Sequence, residues 1–185
     1  MATRREFLRA GGLTLAGFAL PPVLGARLLA GRPGTRVAEV RMRSDATGGR
    51  VWFDPIGLRV NPGTTVRWVL DANVHSTTAY HPSNGNYALR IPEGVQPWDS
   101  SLMTEPGQTF AWRFDVPGVY DYFCIPHELA GMVGRIVVLH DGARMDELRE
   151  PGPAADGFRP PSPAALVAFP RIAAIVRHGA VRLEA

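Results

Sequence analysis

The sequence predicts an all-β fold, a Greek-key β-sandwich of seven or eight strands, with an N-terminal signal helix and a short helical C-terminal extension. Between residues 37 and 139, short segments alternate apolar and polar side chains, which is the pattern of half-buried strands. Turn residues separate these segments, and the 185 residues include 17 prolines and 20 glycines. About 100 residues suffice for one such sandwich, so we place the main domain at residues 35–140.

The clearest strands carry three large apolar residues on one face. Val66, Trp68 and Leu70 align in one segment. Residues 110, 112 and 114 align in another; these three are all aromatic and are expected in the core. The stretch from residue 81 to 107 lacks this periodicity and predicts an irregular excursion. In chain order, the predicted strands cover residues 37–42, 51–53, 56–60, 65–70, 74–80, 108–114, 119–123 and 133–139.

Residues 141–185 predict a linker and a helical extension. A short helix is expected over residues 143–150, and a linker rich in proline and glycine follows it. Ser162-Pro163 has the pattern of a helix N-cap with proline in the first turn. Pro170 is expected to split the helix that begins there.

Residues 1–30 predict an export signal of the twin-arginine type. Arg4 and Arg5 stand in Thr-Arg-Arg-Glu-Phe-Leu-Arg, and an apolar run follows from residue 11 to 20. The protein is therefore expected in the periplasm or on the extracytoplasmic face of the cytoplasmic membrane. The cleavage points after Ala26 and Ala30 both have leucine where a small residue is preferred, so an uncleaved signal that anchors the protein stays an alternative.

The basic excess of the chain belongs to this N-terminal segment. The formal charge is +3, but residues 1–30 hold four arginines and one acidic residue. The rest has 16 basic and 16 acidic residues and no net charge. The sequence therefore gives no indication of nucleic-acid binding.

Four residues predict a metal site: His75, Cys124, His127 and Met132. The last three lie close together in the chain, and Cys124 is the only cysteine, so it has no disulfide partner within the chain. One thiolate, two imidazoles and a thioether are the ligands of a mononuclear blue-copper site. A zinc site would usually have more cysteine or histidine and no methionine.

Residues 68–138 resemble the plastocyanin/pseudoazurin branch of the cupredoxins. The segment 122–134, Tyr-Phe-Cys-Ile-Pro-His-Glu-Leu-Ala-Gly-Met-Val-Gly, matches the spacing of that family's ligand loop. The resemblance implies that His75 and His127 bind copper through Nδ1, Cys124 as a thiolate and Met132 as a long axial ligand. It also implies that the backbone N–H of Ser76 donates to the sulfur of Cys124. The insertion that contains Trp98 and the C-terminal extension depart from a compact plastocyanin.

These features favour a monomeric electron carrier that exchanges single electrons with transient donor and acceptor proteins outside the cytoplasm. The ring edge of His127 would be the electron port. The resemblance implies that this edge emerges through an apolar patch, for which Pro126, Leu129 and Ala130 are the candidates. No further histidine-rich motif for additional copper ions is present, so no enzyme activity is expected. The alternative is periplasmic copper storage or delivery, although the five methionines are not clustered as such carriers favour.

The remaining titratable residues near the motif receive no metal-binding role. His81 is expected to be a surface-loop histidine rather than a ligand of a second site. Glu128 is expected to be solvated beside His127. His140 and His178 lie outside the motif.

Overall fold

The structure is a computed structural model that describes residues 36–184. The predicted signal, including Arg4 and Arg5, lies outside these residues and stays a prediction. Within residues 36–184, none of the helices has the length and apolar character needed to cross a membrane.

The described residues form two packed β-sheets, and the predicted sandwich is confirmed. The strands are β1 (Val37–Ser44), β2 (Val51–Asp54), β3 (Gly57–Val60), β4 (Thr64–Leu70), β5 (Thr78–Ala79), β6 (Thr109–Phe114), β7 (Gly118–Phe123), β8 (Val133–Val138) and β9 (Ala180–Val181). One sheet has the order β2-β1-β4-β6 and the other β5-β7-β8-β3-β9. Strands β1 and β4 pair in parallel, as do β3 and β8, while the other neighbours are antiparallel.

The core lies between the sheets and is rich in aromatic residues. Val66, Trp68 and Leu70 of β4 are buried, as the alternation predicts. Trp68 lies 5.4 Å from the ring of Tyr122 on the facing sheet and 5.6 Å from the ring of Trp98, measured between centroids. Trp98 belongs to the irregular excursion, so this insertion supplies part of the core rather than only a surface loop.

The predicted strand 74–80 is shorter in the structure. Only Thr78–Ala79 pairs as a strand, with β7. The backbone N–H of His75 instead donates to the carbonyl of Met103 at 3.1 Å, and Met103 N–H donates back at 2.8 Å. The backbone of His75 therefore pairs with the irregular segment 81–107, and residues 74–80 do not form one continuous strand.

The C-terminal extension packs on the sandwich. The predicted helix over residues 143–150 is only a 3₁₀ turn, Met145–Glu147. Helices α1 (Pro163–Ala168) and α2 (Ile172–His178) flank Pro170, and Ser162 Oγ accepts the N–H of Ala165, so the predicted cap and break are confirmed. The ninth strand, β9, pairs with β3 and extends the second sheet.

A buried ionic cluster fastens this extension to the second sheet. Asp121 on β7 is fully buried and accepts from Arg90 Nη2 at 2.8 Å and from Arg135 Nε at 2.7 Å. Arg135 also donates to the carbonyl of Pro170 at 3.0 Å. The ring of Phe169 lies 5.2 Å from the Arg90 guanidinium and 5.1 Å from that of Arg135. The residues between the two helices, Phe169 and Pro170, therefore contact the buried guanidinium groups of Arg90 and Arg135.

Candidate metal centre

Three of the four predicted donors meet at one end of the sandwich. The Nδ1 atoms of His75 and His127 are 3.1 Å apart, and Cys124 Sγ lies 3.6 Å from the first and 3.4 Å from the second. An ion at the centre of this triangle would be about 2 Å from each atom, which is close to metal–imidazole and metal–thiolate bond lengths. The geometry fits one metal ion bound by two imidazole nitrogens and one sulfur.

The loop between β7 and β8 carries Cys124, His127 and Met132. Cys124 follows the last residue of β7, and a 3₁₀ helix, Ile125–Ala130, begins immediately after it. His127 N–H donates to the carbonyl of Cys124, Met132 N–H to that of His127, and Cys124 N–H to that of Met132, at 3.0 to 3.1 Å. Gly131 ends the helix at φ 79°, a conformation that glycine adopts without strain. The loop therefore closes on itself and returns Met132 beside Cys124.

His75 comes from a separate segment, between β4 and β5, and a contact at its second ring nitrogen holds the ring. His75 Nε2 lies 3.0 Å from Ser44 Oγ at the end of β1, which leaves Nδ1 facing His127 and Cys124. A partner on the non-ligating nitrogen fixes the orientation and tautomer of a metal-binding histidine. Because its backbone also pairs with Met103, His75 has little freedom to turn away.

The sulfur of Cys124 has a backbone donor. The N–H of Ser76 lies 3.3 Å from Sγ, which confirms the predicted hydrogen bond. The hydroxyl of Ser76 in turn accepts from the N–H of Ile125 at 2.7 Å. Ser76 therefore joins the His75 segment to the ligand loop. Its N–H group points the positive end of its dipole at the sulfur, which stabilises a thiolate.

Burial shifts the protonation of the donors. It lowers the pKa of His75 to about 4, with a further contribution from His127, and also lowers the pKa of His127. It raises the pKa of the Cys124 thiol to about 11, against the opposing effect of the Ser76 hydrogen bonds. At neutral pH both imidazoles are therefore neutral, which is the form that binds a metal. A metal must displace the thiol proton, so binding releases a proton.

The fourth predicted donor, Met132, is fully buried, and its backbone carbonyl accepts from the N–H of Cys124. His81, by contrast, lies outside the cluster, and its Nδ1 is 2.8 Å from the hydroxyl of Ser83 in a partly exposed turn. Within residues 36–184, His75, Cys124 and His127 form the one group of three or more histidine, cysteine or acidic side chains placed to share a metal ion.

The expectation that Glu128 is solvated is wrong. Its side chain is only 3% exposed, and its Oε1 accepts from Tyr80 OH at 3.0 Å and from the N–H of Ser162 at 2.6 Å. The physical reason is the C-terminal extension, because α1 packs over the ligand loop and covers this carboxylate. This contact has no local sequence signal, because Ser162 lies 34 residues away and its pattern indicates only a helix cap.

The outer side of the ligand loop is apolar and open to solvent. Ile125, Pro126, Leu129 and Ala130 are exposed, and 77% of Leu129 is accessible. His127 lies among them and is half-buried. The predicted patch of Pro126, Leu129 and Ala130 is thus present at the surface around the one ligand that approaches solvent.

Comparison with known proteins agrees with the fold and the donor set. Residues 40–139 match the family described as copper binding proteins, plastocyanin/azurin family. A plastocyanin from Scenedesmus fuscus is 30% identical over 103 residues, 54% of this chain and 99% of that protein. A plastocyanin from Synechococcus is 37% identical over 102 residues, 54% of this chain and 71% of that protein.

Among solved structures, a pseudoazurin from Sinorhizobium meliloti superposes with a TM-score of 0.50 at 28% identity, covering 78% of this chain and 99% of that one. The chain belongs to the plastocyanin/azurin family of copper-binding proteins. Its cofactor is copper, as predicted, and one cysteine, two histidines and a methionine are the donor set of a type 1 site. It is a blue-copper electron-transfer protein rather than an enzyme, as the family match and the plastocyanin relatives indicate.

Proposed function

We propose that this protein carries single electrons between transient protein partners outside the cytoplasm, with one copper ion held by His75, Cys124, His127 and Met132. The observation that carries the proposal is the triangle of two Nδ1 atoms and one Sγ with edges of 3.1 to 3.6 Å. When bound, copper supplies a one-electron couple, and no substrate bond has to be made or broken.

The scaffold is suited to hold these donors still. Cys124 adjoins β7, Met132 adjoins β8, and the ring of His75 is tied to β1 through Ser44. Closely packed sheets resist displacement of the side chains they carry. Donors that move little between oxidation states reduce the reorganisation that accompanies electron transfer. The chain therefore contributes rigidity, exclusion of water from Cys124, and a hydrogen bond from Ser76 to the sulfur.

Electron exchange is proposed to pass through the ring edge of His127. That ring is the donor side chain that approaches the surface, and exposed apolar residues surround it. A small apolar contact area suits complexes that form and separate quickly. The protein is proposed to act as a monomer, with a donor and an acceptor that use this surface in turn.

The location outside the cytoplasm rests on the N-terminal sequence. Arg4-Arg5 followed by the apolar run has the pattern of a twin-arginine export signal. We propose residues 1–30 as this signal, cleaved or retained as an anchor, residues 35–140 as the copper domain, and residues 141–185 as its linker and helical extension.

Copper storage or delivery, the alternative function, requires ligands that give up their metal readily. Here His75 and Cys124 are both fully buried, and Ser44 and Ser76 hold them in place. Removal of copper would require the loop to open. The burial therefore supports an electron carrier that keeps its copper over many cycles.

Substitution of Cys124 tests the ligand assignment. Wild-type protein loaded with Cu(II) is expected to show an intense visible sulfur-to-copper charge-transfer band and the EPR signal of a type 1 site. Cys124→Ser should abolish the band, because an alkoxide or hydroxyl oxygen has no such transition in the visible. A variant that stays blue would show that another residue supplies the sulfur.

A further inference from the structure

The C-terminal extension contacts the ligand loop directly through Glu128 and Ser162. Glu128 Oε1 accepts the N–H of Ser162 at 2.6 Å and the hydroxyl of Tyr80 at 3.0 Å. Ser162 Oγ donates to the backbone carbonyl of Glu128 at 3.2 Å and accepts from Ala165 N–H at 3.1 Å. One serine therefore caps α1 and binds the loop residue that follows His127.

Helix α1 also packs against the loop between His127 and Met132. A Cβ added to Gly131 would lie 3.4 Å from the carbonyl oxygen of Ala164 and 3.6 Å from Cβ of Ala168. Ala165, on the same helix, is fully buried in a cluster with Tyr80, Phe123 and Val133. The helix thus lies against the last turn before Met132 and against residues that flank the loop at both ends.

The extension is itself firmly anchored. Immediately after α1, the ring of Phe169 contacts the guanidinium groups of Arg90 and Arg135, and Arg135 binds the carbonyl of Pro170. Both arginines are fixed by the buried carboxylate of Asp121. A helix tied to the sandwich at one end and to Glu128 at the other can restrain the loop between them.

We propose that Glu128 and Ser162 are positioning residues of the metal centre, through which the C-terminal extension holds the ligand loop in place. Four of the six residues of the 3₁₀ helix are exposed, so the buried Glu128 is its main inward attachment between His127 and Gly131. The inference rests on the proposed ligand roles of His127 and Met132. It adds that the order of the loop depends on a segment outside the copper domain.

The test compares Glu128→Ala, Glu128→Gln and Ser162→Ala with the wild type in the full chain. Release of Cu(II) to excess EDTA, followed by loss of the visible band, should be about tenfold faster in Glu128→Ala, the factor expected for a lost hydrogen bond to a charged group. Glu128→Gln keeps an acceptor oxygen and should stay within about threefold of wild type. Ser162→Ala should accelerate release in the same direction and serves if Glu128→Ala does not fold.

Glu150→Gln is the matched control. Glu150 also belongs to the extension, but it is largely exposed and its side chain accepts from Arg135 Nη1 at 3.0 Å rather than from Tyr80 and Ser162 as Glu128 does. It should release copper at the wild-type rate. If Glu150→Gln accelerates release as much as Glu128→Ala, general loosening of the extension is responsible and the role of Glu128 is refuted.

Amide hydrogen exchange on the metal-free proteins separates this inference from the proposed function. In Glu128→Ala, the amides of Gly131 and Met132 should exchange about tenfold faster than in the wild type, because local opening of the loop becomes easier. Unchanged exchange and unchanged copper release would overturn the inference. A wild type without a blue band would overturn the proposed copper ligands, while the exchange result would still decide whether Glu128 orders the loop.

Discussion

Substitution of Asp121 by asparagine should strongly destabilise the protein. The carboxylate accepts from Nε and Nη2 of both Arg90 and Arg135, at 2.7 to 3.0 Å, and is fully buried. Asparagine has nearly the same shape, but it removes the charge and turns an N–H₂ donor toward guanidinium donors. Breaking a buried ion pair costs about 3–5 kcal/mol. Arg90 and Arg135 keep the carbonyls of Gly152 and Pro170, so we expect about 4 kcal/mol.

Urea unfolding of the metal-free proteins measures this loss, and Asp115→Asn is the matched control. Asp115 is 61% exposed and pairs with Arg113 at 2.7 Å on the surface. Such a pair contributes about 0–1 kcal/mol. Asp121→Asn should lower the midpoint with an unchanged m-value. If the two variants lose the same free energy of unfolding within about 1 kcal/mol, the buried cluster does not stabilise the fold as argued.

Two further predictions concern the metal centre. Met132→Leu should retain copper but raise the reduction potential, because a weak axial donor to Cu(II) is lost. The buried Met103→Leu is its control in a redox titration, and equal potentials in the two variants would exclude Met132 as the axial ligand. Because the native pKa of His75, about 4, lies below that of the unfolded chain, the unfolded state binds more protons between these values. Metal-free protein should therefore lose up to about 3 kcal/mol of stability as the pH falls from about 6.5 to 4. If the urea midpoint of His75→Phe depends on pH as strongly as that of the wild type, His75 is not the group responsible for this loss of stability.

The metal centre was predictable because its information is local. Cys124, His127 and Met132 lie within nine residues, and their spacing alone indicates one short loop around one ion. His75 is distant in sequence, and its assignment rests on the resemblance to the cupredoxin family rather than on local spacing. Strands with strict alternation, such as β4, were equally predictable. When only one face of a strand is buried, every second residue along it is apolar.

The contacts of the C-terminal extension were not predictable from these patterns. Glutamate is a residue type that is usually exposed to solvent. Glu128 is buried because α1 docks over it through Ser162. Ala180–Val181 is too short to show a period, and it forms β9 because β3 offers a free edge. The segment 74–80 is rich in threonine and was predicted as a strand, but His75 pairs with Met103 instead of continuing the sheet. In each case a tertiary partner outweighed the local preference.

A crystal structure of the copper-loaded protein, with anomalous scattering recorded at the copper edge, tests the central claim most directly. We predict one anomalous peak within bonding distance of Cys124 Sγ and of Nδ1 of His75 and His127, with the sulfur of Met132 facing it at a longer distance. A peak elsewhere, or one bound by nitrogen and oxygen alone, would contradict the assignment of this centre.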